Sequence, residues 1–222
     1  MAIDNSGLFN VSKIMFDWFR KKEDVKELIP EVLGLRLGGV IELDVLKLQL
    51  IEDDLTIEGA ASTQIIQAVG EIQLGDNNRI IRFYTDDDGF IQVMQYGTDE
   101  LGIEEVKLVY YYDTVVINNQ KEWEQYLKHK LVKEVWNLDS QRFHKAWDNN
   151  SPVAMTETIW TIDKSKSQLD QFIMIYERQI NDDLFETLFV IAEEKVESNQ
   201  YHRCISMSTA FDLSQTDFKT IG

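Results

Sequence analysis

Cysteine, proline, histidine and basic residues are all scarce in this sequence. Its 222 residues include one cysteine, two prolines and three histidines. A single cysteine, Cys204, excludes an internal disulfide, and three histidines leave few nitrogen ligands for a zinc site. Only 22 Lys and Arg stand against 39 Asp and Glu, and the resulting net charge of −17 makes nucleic acid a poor partner.

Targeting signals and catalytic motifs are missing as well. The first residues contain neither a basic leader nor an uninterrupted apolar stretch with a cleavage site, so we expect no secretory signal and a cytoplasmic location. No apolar run reaches the ~20 residues that a membrane-spanning helix needs. The motifs GxSxG, CxxC, HExxH and GxGxxG are absent. These absences favour a protein that is not an enzyme and that uses no cofactor.

The N-terminal region has the pattern of an amphipathic helix. Between Leu8 and Lys22 polar residues recur every three or four positions, which leaves a broad apolar face. This face could contact a bilayer interface or a partner's groove, or it could pack on the protein's own sheet. Pro30 then disfavours a continuing helix, so residues 1–30 are predicted to be a separate helix and linker. The residues proposed to contact a partner or membrane are Phe9, Met15, Phe16, Trp18 and Phe19.

Residues 31–222 are predicted to form one α+β domain. Clear alternation predicts a strand at 64–74, and residues between turn-forming Gly, Asn and Asp predict further strands at 79–85, 90–96, 105–112, 153–162, 171–179, 184–196 and 201–211. Between the two strand groups, apolar residues at helical spacing predict a helix that includes Trp123 and Leu131, with Asn118 or Asn119 as its N-cap. The predicted fold is an extensive antiparallel meander that could curl into a half-barrel, with a central helix and an N-terminal amphipathic helix. The two groups, 31–117 and 150–222, could also be similar halves.

Two clusters of chemically active side chains each allow two interpretations. Asp86, Asp87 and Asp88 lie at a predicted hairpin tip, where their oxygens could bind a hard divalent cation. Alternatively, they form a solvated turn in which Asp and Gly suit the backbone. His202 and Cys204 share one face of a strand, as a thiolate nucleophile and its base would. The alternative is a small, partly buried cysteine beside a histidine at the edge.

Aromatic residues offer a possible ligand pocket between the sheet and the central helix. The alternative is that they pack in the hydrophobic core and form aromatic pairs there. The aromatic residues concerned are Trp123, Trp136, Trp147, Trp160 and the run Tyr110, Tyr111 and Tyr112.

Three stretches together resemble the YjfK-like family of uncharacterised bacterial cytoplasmic proteins. They are LGLRLGG (33–39), VGEIQLG (69–75) with RFYTDDDGFIQV (82–93), and KLVYYYD (107–113). The resemblance covers most of the chain from residue 33 onward and implies no catalytic residue. It does imply a gene setting near envelope-stress loci, beside a homologue of the phage-shock membrane-remodelling protein.

The resemblance and the missing motifs together favour a non-enzymatic accessory or adaptor protein that binds a protein partner of the phage-shock type. One alternative is a small-molecule or divalent-ion binding protein, or an unrecognised hydrolase, that uses an aromatic pocket. Another is peripheral membrane association through residues 8–22. An exposed sheet edge would also permit a homodimer.

Overall fold

A computed structural model describes residues 28–57, 59–182, 184–197 and 199–221. The strands are β1 (Val40–Leu43), β2 (Thr63–Gly75), β3 (Asn78–Thr85), β4 (Gly89–Tyr96), β5 (Ile103–Val116), β6 (Val135–Leu138), β7 (Gln141–Lys145), β8 (Val153–Thr161), β9 (Lys166–Gln179), β10 (Phe185–Glu197), β11 (Gln200–Asp212) and β12 (Phe218–Ile221). The helices are α1 (Val45–Ile51) and α2 (Gln120–Gln125), with 3-10 turns at Glu52–Asp54 and Glu100–Gly102 and a π-helical turn at Tyr126–Lys130. All eight predicted strands are confirmed.

Eight of the strands close into an antiparallel barrel. Their order is β2-β3-β4-β5-β11-β10-β9-β8, and β8 closes the circle because it pairs with β9 on one side and with β2 on the other. The closing contact aligns Ala68 with Thr161 and Ile72 with Glu157. A closed barrel has no free edges among its own strands, which protects them from pairing with another chain.

Because the barrel is closed, the predicted α+β fold class is wrong. The structure is mostly β, with 59% strand and 12% helix, so it is neither an α+β fold with a central helix nor a half-barrel. The predicted helix does begin at its cap, since the Asn119 side chain accepts a hydrogen bond from the Glu122 backbone N–H at 2.9 Å. However, α2 has only six residues before the π-helical turn, and Trp123 and Leu131 pack against the outside of the barrel.

Two apolar layers cover the outside of the barrel. The first outer layer joins β1, β12, α1 and the chain before β1 to the outer faces of β2–β5, through residues such as Leu35, Ile81 and Phe83. The second outer layer joins α2, the π-helical turn, β6 and β7 to β9–β11, through residues such as Phe143 and Met174. Burial of this apolar surface is the main source of stability, at about 25 cal/mol per Å² removed from water.

The apolar outer layers leave a polar barrel interior. Successive side chains of a strand point to opposite faces, so a residue between two outer-layer residues points inward. Arg82 lies between Ile81 and Phe83 in this way, and Gln92 lies between Ile91 and Val93. The barrel therefore encloses charged and amide side chains beside the apolar residues of a third, smaller cluster, which includes Phe90 and Phe189.

The N-terminal predictions cannot be compared with this architecture. Phe9, Met15, Phe16, Trp18 and Phe19 all lie outside the described residues, so their proposed contacts stay predictions. Among the residues that the structure does describe, none of the helices has the length and apolar character that crossing a membrane requires.

Candidate functional site

An ion pair between Arg82 of β3 and Glu157 of β8 occupies the barrel interior. The two side chains are 2% and 0% exposed, and Arg82 Nη1 lies 3.0 Å from Glu157 Oε2. The residues are 75 positions apart in the sequence and meet because β8 closes the barrel against β2, the neighbour of β3. A charge buried this deeply requires a partner, because transfer of an isolated ion out of water is very costly.

Amide and hydroxyl groups from other strands complete this polar cluster. Arg82 Nε donates to Gln92 Oε1 at 3.0 Å, and Arg82 Nη1 donates to Gln171 Oε1 at 2.9 Å. Glu157 accepts hydrogen bonds from Gln171 Nε2 at 2.9 Å and from the Tyr84 hydroxyl at 2.7 Å. We call these five residues the interior cluster. Its members come from β3, β4, β8 and β9, so it ties together strands on both sides of the barrel closure.

A glycine makes space for the Glu157 carboxylate. An ideal Cβ placed on Gly70 would lie 1.8 Å from Glu157 Oε1, which is far below a permissible contact. Gly70 and Ile159 are paired in the β2–β8 register, two residues from Glu157. Any other residue at position 70 would therefore displace the carboxylate that balances Arg82.

The electrostatics keep Arg82 charged and Tyr84 protonated. Burial by itself lowers the pKa of Arg82, but the adjacent Glu157 carboxylate outweighs it, so the pKa is raised above its ordinary value. Burial, together with Glu157, also raises the pKa of Tyr84 well above its ordinary value. The Tyr84 hydroxyl thus remains a hydrogen-bond donor to Glu157 at neutral pH.

Two buried polar atoms in the interior have no hydrogen-bond partner among the described residues. They are Arg82 Nη2 and Ser208 Oγ, on side chains that are 2% and 1% exposed. Buried polar atoms are normally paired, so these two unpaired atoms are exceptional. Arg82 in the interior cluster and Ser208 outside it therefore retain hydrogen-bonding capacity.

The barrel opens at the end where β10 turns into β11 and β5 leaves the barrel. There the strands surround a cleft of about 530 Å³, which we call the mouth. Its volume lies within the range of roughly 300–1,000 Å³ that is usual for small-molecule sites. Inward-facing side chains of four strands line it, among them Thr114, Val116, Leu169, Glu193, His202 and Cys204.

Glu193 forms the polar floor of the mouth. This half-buried carboxylate accepts hydrogen bonds from Ser206 Oγ at 2.9 Å and from Cys204 Sγ at 3.4 Å. Burial raises the pKa of Glu193, although the hydrogen bonds from Ser206 and Cys204 oppose the shift. In the β9–β10 register Glu193 is paired with Gln171, so the floor of the mouth adjoins the interior cluster.

The structure does not support Cys204 as a thiolate nucleophile. Burial and then the Glu193 carboxylate raise the pKa of Cys204 to about 12, so the thiol stays protonated at neutral pH. Within the described residues no hydrogen bond joins it to His202, whose side chain is exposed. The two residues do share the mouth, as their spacing on one strand predicts.

The three aspartates of the β3–β4 turn have separate structural contacts. The Asp86 carboxylate accepts from the Ile65 backbone N–H at 2.7 Å, whereas Asp87 accepts from the Tyr110 hydroxyl at 2.8 Å. Asp88 has a positive φ of 49°, a conformation that aspartate tolerates in turns. In the part of the chain that is described, no three Asp, Glu, His or Cys side chains are grouped to hold a metal ion. The turn thus does not bring the three carboxylates together.

The space between the sheet and the predicted helix is filled with core residues. Trp123 packs edge-on against Phe172, with ring centroids 6.1 Å apart, and Trp136 contacts Tyr176 at 5.8 Å. All four belong to the second outer layer. These contacts favour the core-packing interpretation of the tryptophans, and the open cleft lies instead at the mouth.

Sequence reasoning missed Arg82, Glu157, Gln171 and Glu193. Single polar residues between apolar neighbours were an available signal, since Arg82 follows Ile81 and precedes Phe83. The pairing of Arg82 with Glu157 was not accessible, because no local pattern indicates which strands close the barrel.

Comparisons with known proteins give a family and no function. A family model described as "Protein of unknown function (DUF2491)" matches residues 15–219, which extends the match further toward the N-terminus than residue 33. The chain is 28% identical over 198 residues to "Uncharacterized protein YjfK" of Escherichia coli (strain K12), covering 86% of this chain and 90% of that protein. No solved structure gives a significant match.

The raised pKa of Glu193 predicts how Glu193→Gln changes stability. The folded state disfavours the charged carboxylate. The charged form of Glu193 therefore lowers the free energy of unfolding, and this loss disappears as the pH falls and the carboxylate is protonated. Glutamine removes the charge and still offers Ser206 an acceptor. Urea unfolding should show E193Q to be more stable than the wild type near pH 7.5, by a margin that shrinks toward about pH 4.5.

Glu104→Gln is the matched control for that experiment. Glu104 is exposed at the opposite end of β5, so this variant removes the same charge without relieving burial. A stability of E193Q equal to or below that of the wild type near pH 7.5, or an equal gain in E104Q, would contradict the burial of Glu193.

Proposed function

We propose that this chain, which belongs to the DUF2491 family, binds a small molecule without converting it, because its barrel opens through the mouth onto a buried polar cluster. The observation that carries the proposal is the combination of an open cleft with the half-buried Glu193 at its floor. Ligand sites typically combine apolar walls with a few placed polar groups, and Leu169 and Val116 provide such walls here.

No activated nucleophile lines the mouth among the described residues, which supports binding over hydrolysis. The Cys204 thiol is held in its protonated form, and the Glu157 carboxylate is already occupied by Arg82, Gln171 and Tyr84. A general base must reach the proton that it removes, and Glu157 is fully buried inside the barrel.

Filling the mouth should abolish ligand binding without unfolding the protein. Thr114 is exposed in the mouth lining, so Thr114→Trp obstructs the cleft without disturbing the core. A ligand at about 100 times its dissociation constant stabilises the folded state by about 2.7 kcal/mol. In a thermal-shift screen of a metabolite library, a compound that stabilises the wild type should lose this effect in T114W.

Thr98→Trp is the control, because Thr98 is exposed in the β4–β5 loop at the opposite end of the barrel. This variant should respond to the compound as the wild type does. If no compound stabilises the wild type, or if T114W responds as strongly as the wild type, the mouth is not a small-molecule site.

Binding of a protein partner is a second candidate function, favoured by apolar residues at the rim of the mouth. Val116, Val196 and Tyr201 are 65%, 59% and 62% exposed, and Val196 is paired with Tyr201 on the β10–β11 hairpin. Of these, the adjacent Val196 and Tyr201 form an exposed apolar pair, and exposed apolar patches are typical of interaction surfaces. They support binding of a protein partner. We propose that this partner is a phage-shock-type membrane-remodelling protein and that the chain acts as a cytoplasmic adaptor in the envelope-stress response.

A charge at the rim should prevent that interaction. We expect Tyr201→Glu in the full chain to weaken binding of a purified phage-shock-type partner by about tenfold or more, because a carboxylate resists burial in an apolar interface. Leu101→Glu is the control, since Leu101 is fully exposed in the turn that precedes β5, at the far end. Equal binding by Y201E and the wild type in surface plasmon resonance would exclude the rim from the interaction.

A further inference from the structure

The basic residues around the mouth already have acidic partners. Lys195 Nζ lies 2.6 Å from Glu197 Oε1. Arg203 forms an ion pair with Glu194, and its Nη1 donates to Gln120 Oε1 at 2.7 Å. Deeper in the barrel, Arg82 is balanced by Glu157. The positive charges near the mouth are therefore largely neutralised by residues of the same chain.

Glu193 differs from these paired acids. Its hydrogen-bond donors, Ser206 and Cys204, are neutral, and no Lys or Arg of the described chain forms an ion pair with it. A carboxylate can accept about four hydrogen bonds, so Glu193 can accept further donors that enter through the mouth. His202, which also lines the mouth, is exposed.

The surroundings of Glu193 suit a ligand with an apolar body. Leu169, Val116 and Ile117 line the mouth, whereas the Tyr201 ring at its rim is already stacked with the Arg203 guanidinium at 4.6 Å. The net charge of −17 attracts cations to the protein and repels anions. An ammonium group would supply the ion-pair partner that Glu193 does not have among the described residues.

From this arrangement we propose that the mouth binds a small organic cation, a primary ammonium on an apolar body, with the ammonium held by Glu193. This inference rests on the proposed small-molecule function. It is more specific, because a neutral or anionic ligand in the same mouth would satisfy the proposed function and contradict the cation.

Two matched probes distinguish the contribution of the ligand's charge to binding from that of its apolar body. Phenethylamine carries the ammonium, and 2-phenylethanol has a similar apolar body without charge. Isothermal titration calorimetry on the full chain should show that the amine binds more tightly than the alcohol by about tenfold or more, as expected for a charge-assisted hydrogen bond. Glu193→Gln should weaken amine binding by a similar factor and leave alcohol binding nearly unchanged.

Glu104→Gln again controls for the loss of one negative charge, and it should bind the amine as the wild type does. A second measurement does not depend on the folding of E193Q. Protonation of Glu193 removes the charge that holds the ammonium, so amine affinity of the wild type should fall as the pH is lowered from about 7.5 to about 5. The affinity for the alcohol should not change with pH.

The outcomes distinguish the two levels of the proposal. If the alcohol binds as tightly as the amine, or if E193Q retains the amine affinity, the organic-cation inference is overturned while small-molecule binding stands. If neither probe binds at millimolar concentration but a metabolite stabilises the wild type and not T114W, the cation inference alone fails. If no compound of either experiment binds, both proposals fail.

Discussion

The structure depends on the buried positive charge of Arg82, which requires an ion-pair partner inside the barrel. Arg82 points into the barrel because its neighbours Ile81 and Phe83 belong to the first outer layer, and β8 must therefore bring Glu157 to meet it. Loss of one member of such a buried pair typically lowers the free energy of unfolding by about 3–5 kcal/mol, because the other charge stays buried without a partner. The ion pair also requires glycine at position 70, since a side chain there would occupy the place of the Glu157 carboxylate.

The distribution of polar and apolar residues follows from this arrangement and places the candidate site. Apolar residues pack on the outside of the barrel, where α1, α2 and the short strands cover them, and this leaves the interior free for polar groups. The interior cluster adjoins Glu193 through Gln171, so the mouth opens onto polar residues rather than onto a sealed apolar core. That continuity is the physical basis for a binding function at this end.

Local patterns predicted much of this protein, and long-range contacts account for what they missed. The sequence pattern located all eight barrel strands, and Asn119 is the one of the two predicted N-cap candidates, Asn118 and Asn119, that caps α2. Barrel closure was missed because it depends on contacts such as Ala68 with Thr161, for which no local signal exists. The predicted helix was too long. Trp123 and Leu131 do have helical spacing, but the chain between them passes from α2 into a π-helical turn. The mouth was missed for the same reason as the closure, since its lining comes from strands far apart in the sequence.

A double-mutant cycle on Arg82 and Glu157 would measure whether the two charges depend on each other inside a closed barrel. Urea unfolding would be measured for the wild type, Arg82→Met, Glu157→Leu and the double variant. The account predicts that each single change destabilises the barrel by about 3–5 kcal/mol, and that the double variant loses much less than the sum, with a coupling of about 2 kcal/mol or more. Additivity within about 0.5 kcal/mol would show that the two residues do not face each other, and would contradict the closed barrel with its polar interior.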